Sequence, residues 1–257
     1  DQNTIGIKIN NMYNRVLNNV LIENNKITSS NYACFWLDNS NEPSDTSIII
    51  QENDFTTTSY GDLHLFSVSK VRNNKINVNA IWGEGNYYSN IITIRGQFYL
   101  GNGRYAGLGF KDYFVDNKVD FQIIYNNGTQ LRSDYSAIIS DNTLRFNASN
   151  TGSNLYSLVS GANSSIKNNT LLNAFQPIMA GNGSVIEKNI FTSGRAGILL
   201  DNSTNVIQGN IFKHMDSPIV VKNQASGSIK NNTFFNSFNS SQTAILIENS
   251  NIGVSNN

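Results

Sequence analysis

The sequence predicts an all-β solenoid, a single-stranded right-handed parallel β-helix of about eleven coils with roughly 23 residues in each. Three observations carry that expectation. A short phrase with asparagine in a fixed place recurs along the whole chain. The segments between recurrences alternate apolar and polar residues over four or five positions. No segment of ten residues has the apolar spacing of a helix.

Asparagine accounts for 44 of 257 residues against 3 prolines, a bias that directs attention to internal periods before anything else. The recurring phrase is an apolar residue, asparagine three positions later, and another apolar residue two positions beyond. It occurs as Ile22 with Asn25, Ile50 with Asn53, Val71 with Asn74, Phe114 with Asn117 and Ile139 with Asn142. It continues as Ile166 with Asn169, Ile186 with Asn189, Ile207 with Asn210, Ile229 with Asn232 and Val254 with Asn257. Between Asn74 and Asn117 it reads once more as Ile94 with Gln97 in the asparagine place. A second phrase precedes the first by eight or nine residues in the cleanest coils, at 198–203 (ILLDNS), 219–224 (IVVKNQ), 245–250 (ILIENS) and, near the other end, 35–40 (FWLDNS).

A strand of four or five residues cannot bury its apolar face alone. Stacking one coil on the next makes a continuous apolar interior and gives each backbone group a partner about 4.8 Å away along the axis. Asparagine serves such a stack twice over, because it tolerates left-handed turns and because its amide can hydrogen-bond to the same amide one coil away. The anchors are therefore expected to be scaffold. Leucine-rich repeats would need leucines at fixed places and a helix per repeat, and propeller blades need about 40 residues, so both lose on period. The whole of 1–257 is expected to be one domain, cut from a longer chain because it starts without Met and stops inside a repeat.

Composition limits the functions. Hydrophobic residues make up 39% of the chain, enough for a sizeable core and against disorder. Lys plus Arg and Asp plus Glu both number 18, so no net field draws the chain to nucleic acid or to an anionic membrane. No apolar run approaches the length of a membrane span. His64 and His214 are too few and too far apart for a metal cluster, and Cys34 sits in an apolar run, so no metal or other cofactor is expected.

The anchors at 166–171 (IKNNTL) and 229–234 (IKNNTF), with 244–250 (AILIENS), resemble the right-handed parallel β-helix superfamily of pectate lyases, polygalacturonases and bacteriophage tailspikes. The resemblance is one of scaffold and covers nearly the whole chain. The N-T-D, D-D, G-H-G and R-I-K motifs of the pectin-hydrolysing members are absent, as are the D-P-H motif of alginate epimerases and the vWiDH-type motif of pectate lyases. What remains is the tailspike and depolymerase style. It implies a homotrimeric protein, extracellular or on a virion tail, that binds and cleaves a bacterial capsule or O-antigen polysaccharide, by glycoside hydrolysis rather than as a lyase. The rival expectation is a non-catalytic β-helix adhesin or structural fibre.

The pattern is least regular from about residue 60 to 135, which holds nine of the 13 Tyr and Trp residues. Exposed aromatic rings suit sugar recognition by a neutral protein. In the segment 82–88 (WGEGNYY), two glycines and an asparagine around the acid read as a loop, so Trp82, Tyr87 and Tyr88 are expected to be exposed sugar platforms and Glu84 the catalytic acid. Hydrolysis needs a second carboxyl group, about 5 Å away for retention or 6.5–9.5 Å for inversion. Asp62, Asp112 and Asp116 are the expected partners. Arg104, Tyr105 and Arg132 complete the substrate-binding set; a lyase would take its base from Lys111, Arg104 or Tyr105 and use Arg132 to neutralise a uronate. Alignment on the second phrase also puts Asp38, Glu84, Asp201 and Glu248 in one column with Lys111 and Lys222. Its members Asp201, Lys222 and Glu248 are read as a solvated charge ladder.

Overall fold

A computed structural model describes residues 5–10, 19–29, 33–38, 48–57, 61–100, 112–122, 129–146, 156–174, 177–235 and 243–257. Among these residues there is no helix, and so none long and apolar enough to cross a membrane. The strands pair in parallel and run in three ladders along one axis, which makes a three-faced parallel β-helix. The first face passes through Leu131–Arg132, Leu158–Ser160 and Ile178–Ala180. The second passes through Ala137–Ser140 and Ser165–Lys167, and the third through Thr143–Arg145 and Thr170–Leu172.

Some coils lose a corner. Asp62–Arg72 and Ile81–Tyr88 run from the first face into the second without a break, while Ile190–Asp201 and Ile211–Lys222 run from the third face into the first.

The apolar residue of each anchor points inward and pairs with its counterpart one coil on. The column Ile50, Val71, Tyr87, Phe114, Ile139, Ile166, Ile186, Ile207 and Ile229 is fully buried at 0% exposure. Aromatic rings stack inside the third face at the coil spacing: Phe191 on Phe212 at 4.8 Å and Phe212 on Phe234 at 5.2 Å. A period-two strand with one face in such a column leaves alternate side chains for the surface.

The anchor asparagines form an unbroken ladder. From Asn25 to Asn257, each backbone N–H and each side-chain Nδ2 donates to the Oδ1 of the next asparagine; the steps from Asn169 to Asn189, for example, measure 3.0 Å and 3.0 Å. In every coil from Asn53 onward Nδ2 also donates to a main-chain carbonyl one coil back, as Asn189 does to Ile166 at 2.9 Å. The left-handed residue is the one before the anchor. It is Asn24, Glu52, Asn73, Ser89, Asp116, Asp141, Asn168, Lys188, Asn231 or Asn256, with φ between 52° and 61°, and only once glycine, Gly209 at 62°. A left-handed non-glycine residue costs about 1–2 kcal/mol, which the buried amide ladder beside it offsets.

One rung differs from the expectation. The coil after Asn74 closes at Asn90, 16 residues on, with Tyr87 as its apolar residue, and Asn90 then donates to Asn117. Ile94 instead ends the third-face strand Ile91–Ile94, and the Gln97 carbonyl accepts from Ile81 at the start of the first-face strand one coil back. Eleven rungs remain, but the shortest coil is two strands wide where a full corner was expected.

Candidate functional site

The segment 82–88 is strand, not loop. Ile81–Tyr88 pairs with Asp62–Arg72 on one side and with Phe98–Tyr99 and Asp112–Val115 on the other. Gly83 is required by close approach: a Cβ there would run into the Leu65 carbonyl. Gly83 thus marks two backbones pressed together rather than a loop, and strand alternation then sorts the residues of the segment.

Tyr87 is core, which corrects the expectation of an exposed platform. Its ring is fully buried, with centroids 5.0 Å from Phe98 and 6.2 Å from Phe114. Burial, with the Asp112 carboxylate nearby, pushes its phenol far above the ordinary tyrosine range, and the hydroxyl has no hydrogen-bond partner. Tyr88 faces outward on the second face, in register with Arg72 and Val115. Burial, and then Tyr113, raises its phenol too. Tyr88 and Trp82 are therefore on different faces.

Trp82 lies on the first face and builds a cluster across four successive coils. Its indole Nε1 donates to Asp62 Oδ2 at 3.0 Å, and Asp62 Oδ1 accepts from Asn79 Nδ2 at 2.9 Å and from the Ala80 N–H at 3.0 Å. On the other side the indole stacks on Tyr99, with centroids 5.5 Å apart and planes 20° from parallel. The Arg132 guanidinium lies 5.0 Å from the centre of the Tyr99 ring, and its Nε donates to Asp134 at 2.7 Å. Burial and Asp134, to which the phenol hydrogen-bonds, raise the Tyr99 hydroxyl, while Arg132 works the other way. Register makes this column: His64 pairs with Trp82, Trp82 with Tyr99 and Tyr99 with Arg132. Burial holds the half-buried His64 imidazole below its usual range, partly countered by Asp62.

The remaining expected residues are dispersed. Asp112 begins the second-face strand Asp112–Val115 and accepts from Ser133 Oγ at 2.7 Å. Asp116 is the exposed left-handed residue after that strand and accepts from Ser89 Oγ at 2.8 Å. Arg104, Tyr105, Lys111 and the side chains of Glu84 and Asp38 lie outside the described residues. In the charge column, Asp201 pairs with Lys222 in register and across 3.6 Å, and Glu248 follows Ile247, the partner of Val221.

Spacing decides what the carboxylates can do together. Asp62 and Asp134 are three coils apart, about 14 Å along the axis. Asp62 and Asp112 are two coils apart, about 10 Å, and stand on different faces. Asp112 and Asp116 bracket a four-residue strand and are about 13 Å apart. As backbone spacings these lie at or beyond the upper end of the roughly 5–9.5 Å that separates the carboxyl groups of a glycosidase dyad. Glu84 is on the coil between Asp62 and Asp112, one coil from each. The described geometry is a strip of flat rings, a planar cation and two carboxylates along one face.

Tyr99 and Asp134 were missed from the sequence. The signal was available in composition, since Tyr99 is one of the clustered tyrosines, but its place beside Trp82 depends on a register across coils of unequal length. Compared with protein-family models, curated proteins and solved structures, the chain matches none.

Proposed function

We propose that the protein binds a polysaccharide along its first face, as a β-helix of the tailspike type within the pectate-lyase-like superfamily. The observation that carries this reading is the column Trp82, Tyr99 and Arg132 with the carboxylates of Asp62 and Asp134 bound to its two ends. A solenoid recognises long ligands along its axis, and a strip with this mixture suits a sugar chain: ring edges for apolar patches, carboxylates and a guanidinium for hydroxyls. Both faces of Tyr99 are covered, by Trp82 and by Arg132, so its contribution is to hold those two groups in place. The ligand class is a bacterial capsule or O-antigen polysaccharide, met outside the cell by a homotrimer on a virion tail.

A second reading adds cleavage. It is favoured by Glu84, the one candidate acid on a coil adjacent to Asp62 and Asp112, and takes the form of glycoside hydrolysis. Against it stand the engaged carboxylates of Asp62 and Asp134, which favour a non-catalytic adhesin. The test is incubation with a panel of capsule and O-antigen polysaccharides, following binding by calorimetry, reducing ends, and absorbance near 235 nm from an unsaturated uronate. Binding alone supports the adhesin, reducing ends without absorbance support the hydrolase, and no binding to any polysaccharide overturns the proposal.

A further inference from the structure

The outward column of the first face is poor in positive charge. Register runs it through successive coils from His64, Trp82, Tyr99 and Arg132 to Leu246, and Arg132 is its one cation. Beyond Arg132 every position is aliphatic, from Val159 and Met179 to Leu246. Burial holds the His64 imidazole below its usual range, so it is uncharged at neutral pH. The chain as a whole carries 18 cations and 18 anions, so this scarcity belongs to the face and not to the composition. At the heights of the strip the exposed lysines stand elsewhere, Lys70 on the second face and Lys75 and Lys118 on the third.

Among the described residues the strip itself is negative. Arg132 is neutralised where it stands, since its Nε donates to Asp134 at 2.7 Å and its guanidinium lies over the Tyr99 ring at 5.0 Å. The three donors to Asp62, from Trp82, Asn79 and the Ala80 N–H, are all uncharged, so the charge of that carboxylate is left uncompensated. Glu84 stands two residues past Trp82 in the same strand. Arg95 follows the third-face strand Ile91–Ile94 and gives its guanidinium to Asn77 and Thr57. A uronate or phosphate set down on this strip would therefore lose hydration with no free cation to replace it, and would meet a field of its own sign. Hydroxyls meet neither obstacle, because carboxylate and phenol oxygens accept their protons while ring edges cover the apolar patches of the sugar. Both carboxylates already accept from protein donors, so the strip does not call for a ligand amine either.

We propose that the first-face strip selects uncharged polysaccharides and rejects chains bearing uronate or other anionic groups, an inference that rests on the glycan reading of this face. The acids do the rejecting, and the absence of a free cation along the column prevents any compensation. Elimination needs a uronate, so the same selection excludes a lyase.

Calorimetry of the full chain with a panel of capsule and O-antigen polysaccharides tests the selection, each polysaccharide being supplied in two charge forms. Uronate-bearing chains are used native and carboxyl-reduced, and neutral chains native and with part of their primary hydroxyls oxidised to carboxylates. For every polysaccharide that binds, the uncharged form should bind about tenfold or more tighter than the acidic form at low salt. The gap should narrow as ionic strength rises from about 0.01 M to about 1 M and the screening length falls from about 30 Å to about 3 Å. Asp134→Asn keeps an oxygen for the Arg132 Nε but frees the charge of the guanidinium, so it should shift the ratio about threefold or more toward the acidic form. If circular dichroism shows that variant misfolded, Glu84→Gln should move the ratio in the same direction. An acidic form that binds as tightly as its uncharged form overturns the selection and leaves the glycan reading standing, as does a ratio that a folded Asp134→Asn leaves unchanged. Failure of every polysaccharide to bind in either form overturns the glycan reading and the selection with it.

Discussion

Trp82 donates its indole N–H to Asp62 across the boundary between two coils, 3.0 Å apart in space and 20 residues apart in sequence. The same carboxylate accepts from Asn79 and from the Ala80 N–H, so it is tied at both oxygens. Asp62→Ala removes the acceptor for three donors. Unfolding in urea should show a loss of about 1–3 kcal/mol, with a shift in tryptophan fluorescence. A midpoint and spectrum equal to the parent's would show that the carboxylate does not hold the indole.

The rung at Asn90 makes a sharp contrast with Gln97. Asn90 is 1% exposed and its amide links Val71, Asn74 and Asn117. Asn90→Ala should therefore cost about 2–4 kcal/mol, since several buried groups lose partners together. Gln97→Ala should stay within about 0.5 kcal/mol. Equal costs measured by thermal or urea denaturation would put both residues in the same structural role, against the ladder as described.

Tyr87 and Trp82 should separate stability from binding. Tyr87→Phe deletes a buried hydroxyl without a partner, so stability should hold or rise by about 1 kcal/mol and polysaccharide binding should not change. Trp82→Ala should weaken binding by about 1–3 kcal/mol, since it removes the apolar indole edge offered to the sugar and the group that Tyr99 packs against. Calorimetry with the bound polysaccharide reads both variants. A binding defect in Tyr87→Phe alone would move the site away from the first face.

Glu84→Gln isolates the proton-transfer role on the hydrolytic reading. It preserves size and hydrogen bonding, so turnover should fall about 100-fold or more with affinity kept. Reducing-end release at the parent's rate would remove Glu84 from the chemistry.

His64 gives a pH dependence with a definite sign. Its folded-state pKa is depressed below the ordinary 6.5, chiefly by burial. Between that lowered pKa and 6.5 the unfolded chain binds more protons at this site than the folded one, so stability is lost as pH falls through the window and is retained above it. Urea midpoints from pH 7 to pH 5 should fall less in His64→Gln than in the parent. Identical slopes would assign the acid sensitivity to other groups.

The solenoid itself was legible because its instructions are local. An apolar residue three positions before asparagine specifies an inward side chain, a left-handed corner and a ladder amide within four residues. That unit works in any coil, which is why the anchors at Asn169, Asn189, Asn210 and Asn232 could be read directly. Its failure at Gln97 has the same origin: a fixed expectation of coil length passed over the 16-residue coil ending at Asn90.

Glycine content misled the reading of 82–88, because Gly83 marks close backbone approach as well as turns, and only the Leu65 carbonyl beside it shows which. The alternation that buries Tyr87 and turns Trp82 outward follows from that strand. The composition of the chain alone determined that repeated short strands must stack, since none could bury its own apolar face. Which outward residues meet was decided by tertiary structure. Trp82, Tyr99 and Arg132 are separated by coils of unequal length, and their register is set by the packing of the interior column and the asparagine ladder rather than by any spacing along the chain.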